Sequence, residues 1–94
     1  MTLATTRFDA ADYLTDEASQ AEFLIAAFED GDPGYIAHAL GIVARARGMT
    51  QVAKEAGVTR EALYKGLSAD GDPRLSTLLG VTKALGLRLT AEAA

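Results

Sequence analysis

Between residues 50 and 67 the chain runs Thr-Gln-Val-Ala-Lys-Glu-Ala-Gly-Val-Thr-Arg-Glu-Ala-Leu-Tyr-Lys-Gly-Leu. Its polar members are of the kinds that read nucleic acid. Arg60 can pair in a bidentate manner with guanine O6 and N7, a contact worth roughly 1–3 kcal/mol of discrimination. Glu61 can accept from cytosine N4 or hold Arg60 in place, and Tyr64 and Lys65 suit a phosphate or a thymine methyl. Thr50 and Gln51, at a helix start, would aim side chains and backbone N–H groups at phosphate. Thr59 completes the reading positions, and Arg45, Arg47, Lys54 and Arg74 are candidate neutralisers of the nucleic-acid backbone.

Such chemistry needs two short helices crossing through a tight turn, the arrangement of a helix-turn-helix over 50–67. Ala53 is small enough for a close crossing, and Gly57, four residues on, tolerates the positive φ of a turn. Val58 would plug the core beneath that turn. Thr59 would cap the second helix, and Leu63 and Leu67 at i, i+4 would anchor its inner face. The outward positions are then Thr59, Arg60, Glu61, Tyr64 and Lys65, grouped at the end of the helix that meets base edges in a major groove. The same residues also fit an ordinary helical bundle with a solvated charged surface.

The surrounding pattern is helical nearly throughout. A first helix over 17–30 has Thr15 or Asp16 as its cap and Ala21, Leu24, Ile25 and Phe28 as its apolar stripe. A second begins at Asp32-Pro33, buries Ile36, Leu40 and Val43, and ends at Gly48. Helices over 50–56 and 60–67 follow, then a turn-rich loop over 68–73. A last helix over 75–85 carries Leu75, Leu78, Leu79 and Leu85 on one face and stops at Gly86. Gly80 inside it serves a close helix approach or is merely tolerated. Leu87 to Thr90 alternates like a strand and Thr5 to Phe8 looks extended, so a small terminal pairing is an open option. The expected organisation is an extended segment over 1–15 and one all-α, five-helix domain over 16–94.

Composition sets the limits. Ninety-four residues make one small domain, which buries roughly 60–65% of its unfolded surface and has little room for a deep enzyme pocket. No cysteine is present and His38 is the single histidine, so thiolate and histidine metal sites are not expected. No Gly-rich phosphate loop or supported Ser–His pair occurs, so neither an enzyme nor a cofactor is expected. No signal-peptide pattern or membrane-length apolar run is seen, which makes the cytoplasm the expected compartment and a membrane an unexpected partner. The net charge of −4 conceals a division. Residues 1–44 hold Arg7 against eight carboxylates, a charge of −7, whereas residues 45–94 hold eight cations against five carboxylates, a charge of +3. Two surfaces with different partners are implied.

Several strings place these features in a family. Phe8-Asp9 with Tyr13-Leu14, Glu29-Asp30-Gly31-Asp32, Ala44-Arg45-Ala46-Arg47-Gly48-Met49-Thr50-Gln51, Leu63-Tyr64-Lys65-Gly66-Leu67, Asp72-Pro73-Arg74-Leu75 and Ala84-Leu85-Gly86-Leu87 are similar to addiction-module antidote proteins. Over about residues 8–90 the order of elements resembles a Cro/phage-repressor DNA-binding domain. The resemblance implies an antitoxin, HigA-like, that neutralises a RelE/ParE-type toxin by direct binding. It further implies repression of the shared operon through double-stranded operator DNA. By position it makes Thr59, Arg60, Glu61, Tyr64 and Lys65 the readers. One departure is Gly66, where phage repressors usually carry an apolar residue, and Leu67 takes the anchoring role. The acidic first half offers Glu22, Glu29 and Asp32 as toxin-binding candidates. A homodimer is expected, because one reading helix contacts too few bases for specificity; its interface falls on the last helix and Leu87–Thr90 or on the N-terminal segment. A stand-alone phage-like repressor and a protein-interaction adaptor without DNA binding are the alternatives.

Overall fold

The computed structural model describes residues 13–94. Five helices follow one another: α1 (Glu17–Asp30), α2 (Pro33–Arg47), α3 (Met49–Ala56), α4 (Arg60–Gly66) and α5 (Leu75–Ala84). Local chemistry explains several of the boundaries. The Asp16 carboxylate accepts from the Ser19 amide at 2.8 Å to start α1, and Asp32 does the same for Tyr35 at 2.8 Å ahead of Pro33. The α3 helix stops where Gly57 takes φ 76°, and Val58 N–H reaches back to the Ala53 carbonyl at 3.0 Å. After α5, Gly86 N–H donates to Lys83 and Leu87 N–H to Thr82, the paired bonds of a Schellman motif.

The core draws on all five helices, with Leu24, Leu40, Val43, Leu63 and Val81 almost wholly removed from solvent. The α3 helix packs most extensively on α5, while α1 packs chiefly on α2. Gly80 lies at the α3–α5 contact. A Cβ there would stand 3.0 Å from the Ala56 carbonyl oxygen and 3.2 Å from its Cα, so this glycine permits a close approach.

Three expected core residues face solvent instead. Ile25 is 53% exposed, Leu75 68% and Leu79 46%. In α1 the buried row is Gln20, Leu24 and Ala27, which turns Ile25 outward. In α5 the buried residues are Val81 and Thr82, continued by Leu85, with Leu78 packed against the core. Leu75 and Leu79 lie beyond that seam. No strand occurs among the described residues. The alternation at Leu87–Thr90 is real in burial, with Leu87 and Leu89 half-buried and Arg88 and Thr90 exposed, but it lays an extended segment beside α1. The expected extended segment at Thr5–Phe8, and most of the 1–15 unit, lie outside the described residues.

Candidate nucleic-acid interface

The α3–α4 pair is held from inside. Ala53 and Leu63 are buried, Leu67 closes the end of α4, and Val58 packs against the core under the turn. Thr59 Oγ1 accepts from Ala62 N–H at 3.0 Å and caps α4. Leu63 points inward, and Arg60, Glu61, Tyr64 and Lys65 are all exposed, Arg60 and Tyr64 side by side at i, i+4 and flanking the buried row. Glu61 lies in the first turn of α4, where a carboxylate suits the positive end of the helix dipole.

Arg60 is already oriented. Its guanidinium donates to Thr50 Oγ1 at 3.2 Å and stands over the Tyr64 ring, 5.6 Å from the centroid. A cation over an aromatic face is attracted by the ring quadrupole. The contact ties the start of α3 to the outer face of α4 through one long side chain. Gln51 donates to Glu55 at 2.7 Å along the exposed side of α3.

The beginning of α3 is open. Gly48 occupies its cap position with φ 110° and ψ 108°, and no side chain bonds to the first-turn amides. Those N–H groups mark the positive end of the α3 dipole. Lys54, Lys65 and Arg74 are exposed, as is Arg45 in the last turn of α2. An anionic polymer can be met here by cations, hydroxyls and backbone amides together.

Arg47, a candidate neutraliser, is engaged within the fold. Its Nε donates to Gln20 Oε1 and one terminal nitrogen donates to the Leu85 carbonyl at 3.1 Å. Gln20, 3% exposed, donates in turn to the Leu14 carbonyl at 2.8 Å. Arg47 therefore latches α1, the end of α2 and the end of α5 together. Sequence reasoning passed over Gln20, since nothing local marks a buried glutamine whose partner lies 27 residues away.

Among the acidic candidates, Glu22 and Glu29 are exposed on α1, while Asp32 is engaged as the cap of α2. His38 is exposed on α2. No described helix is long and apolar enough to cross a membrane.

Fold and surface together define a small all-α protein, its polar chemistry displayed on outward helix faces. The chain belongs to the family described as "Probable addiction module antidote protein", which matches residues 4–93. It is also similar to a protein of Haemophilus influenzae described as "Uncharacterized protein", with 43% identity over 81 residues, 86% of this chain and 84% of that one. No solved structure matches the chain. The family is one of antidotes, so an antitoxin role and a toxin partner of some kind come with it.

Proposed function

We propose that α3, the turn at 57–59 and α4 form a helix-turn-helix of the Cro/phage-repressor type, through which the antitoxin binds its own operator and represses its operon. It neutralises a RelE/ParE-type toxin by direct binding, acts in the cytoplasm and has no enzymatic activity. The carrying observation is the placement of Arg60: exposed, held by Thr50 and Tyr64, at the start of a helix whose inner side is fixed by Leu63. A guanidinium held in this way loses less freedom on pairing with a base edge. The uncapped amides of α3 and the cations Lys54, Lys65, Arg74 and Arg45 supply phosphate contacts around it.

The operator-bound form is a homodimer, with reading helices about 34 Å apart on successive major-groove faces. Leu75 and Leu79, one turn apart and exposed on α5, supply an apolar surface for the second copy. Because α5 packs closely on α3, that surface fixes the separation of the two reading helices.

The test is fluorescence anisotropy with the DNA upstream of the gene, at roughly 50 mM and 200 mM salt. Six to ten phosphate contacts lower affinity by about 10³–10⁵ between those conditions. Absence of salt-dependent binding overturns the operator reading and leaves a protein-interaction adaptor, to which the net charge of −4 is suited. Operator binding with no toxin encoded alongside leaves a stand-alone repressor.

A further inference from the structure

A groove of about 350 Å³ opens between α1 and the extended chain that follows α5. Leu24, Ile25 and Phe28 form one wall, Leu87 and Leu89 the other, and Glu29 stands at the edge. Arg88 is the one cation in the lining, against the carboxylates Glu29 and Glu92.

We infer that this groove is where the toxin docks, and that it receives a basic segment of the toxin anchored by an apolar side chain. The inference rests on the antitoxin reading and adds the surface and the chemistry of the partner. The α1 sequence contains Glu17, Glu22, Glu29 and Asp30 and no cation at all. At helical spacing, Ala18, Glu22, Ile25 and Glu29 fall on one outward stripe, so the exposed isoleucine is bracketed by two carboxylates. An aliphatic side chain from the partner can fill the space beside Ile25 while flanking lysines or arginines reach Glu22 and Glu29. A second copy of this chain would bring like charges face to face, which opposes association. A basic partner meets complementary charge at the same place.

The groove is built from α1 and residues 82–92, whereas the reading surface is built from α3 and α4. No residue serves both, so the two surfaces do not overlap.

The chain has no cysteine, so Ile25→Cys and Lys65→Cys each give a unique exposed thiol in this chain. The probe is the purified product of the reading frame adjoining the gene. Saturating amounts of it should slow maleimide labelling of Ile25→Cys severalfold and leave Lys65→Cys unaffected. In parallel, Glu22→Lys with Glu29→Lys should weaken its binding by about tenfold or more, with the larger loss at low salt. Circular dichroism checks that these surface variants fold.

If the adjoining product does not bind the parent chain, the antitoxin reading fails and this inference with it. If it binds the parent, yet labelling at position 25 is unchanged and the charge reversal is without effect, the groove assignment alone is overturned. A thiol at 25 already shielded in the dilute free chain, or shielded only as the chain is concentrated, also overturns it. Those outcomes give the groove to the chain itself or to a second copy.

Discussion

Replacing Arg47 with methionine preserves most of the side-chain length and removes the guanidinium. In the folded chain that group donates to Gln20 Oε1 and to the Leu85 carbonyl. Gln20 is buried, and its amide nitrogen is already committed to Leu14, so its oxygen has no simple way to turn toward a new donor. Orphaning a buried acceptor costs about 1–3 kcal/mol. Two acceptors lose a donor, but the site is partly open to water, and methionine loses about as much rotamer freedom as arginine, so that contribution nearly cancels. The net expectation is a loss of about 2–3 kcal/mol. In a domain of this size each kcal/mol moves the melting midpoint by roughly 4–8 °C, so Tm should fall by roughly 8–24 °C. Thermal and urea unfolding read this directly. Combining Arg47→Met with Gln20→Leu should cost less than the sum of the two single changes, because they share one contact. The operator assay supplies the second arm. A phosphate-contacting cation contributes about 0.9 to the slope of log K against log salt. Arg47→Met should leave that slope unchanged where Lys65→Ala flattens it. A variant that melts like the parent and loses slope would refute the latch and return Arg47 to the DNA surface.

Leu75→Asp with Leu79→Asp should dissociate the proposed homodimer by light scattering and weaken the proposed operator binding, while monomer stability stays close to the parent because both side chains are exposed; an unchanged dimer removes α5 as its interface. Gly80→Ala offers roughly 1 kcal/mol of helix propensity, yet it should lower stability, since the new methyl meets the Ala56 backbone; a gain of that size would show slack between α3 and α5. The Ser19 amide, then the Ser19 hydroxyl, hold the Asp16 carboxylate below its ordinary range. A carboxylate lowered on folding contributes stability that is present above its unfolded pKa, about 3.9, and is lost as pH falls through the folded value. Asp16→Asn should therefore flatten the decline of stability below about pH 4; an unchanged acid profile places that dependence elsewhere.

Helix boundaries were legible wherever a single residue settles them chemically. Asp16, Asp32-Pro33, Gly57 and Thr59 act on amides or dihedral angles within a few positions of themselves, so local sequence suffices. The exposure of Arg60, Glu61, Tyr64 and Lys65 was legible for a related reason: Leu63 and Leu67 fix the inner side, and helical geometry fixes the rest. The rotation of α1 and α5 against the core was not. Both helices carry more apolar side chains than one seam can cover, and periodicity alone does not say which are left over. In α1 the buried row is Gln20, Leu24 and Ala27, with Gln20 held by a partner remote in sequence, and Ile25 lies off that row. Thr50 and Arg60 meet only because α3 and α4 cross, so their bond, too, could not be read from spacing. The alternation at Leu87–Thr90 reported one-sided burial correctly without marking a strand among the described residues, since a helix can cover the buried side as well as a sheet can.

The backbone at Gly48 carries a cost for anyone seeking a hardier version of this protein. The usual way to strengthen a helix start is to install serine, threonine or aspartate at the cap. With φ at 110°, those residues would exchange one defect for another, because L side chains are strained in that conformation. The first turn of α3 thus cannot be sealed from within by a single replacement. On the proposed reading, those uncapped amides are the expense of leaving room for a phosphate, and thermal robustness has to be sought in other parts of the chain.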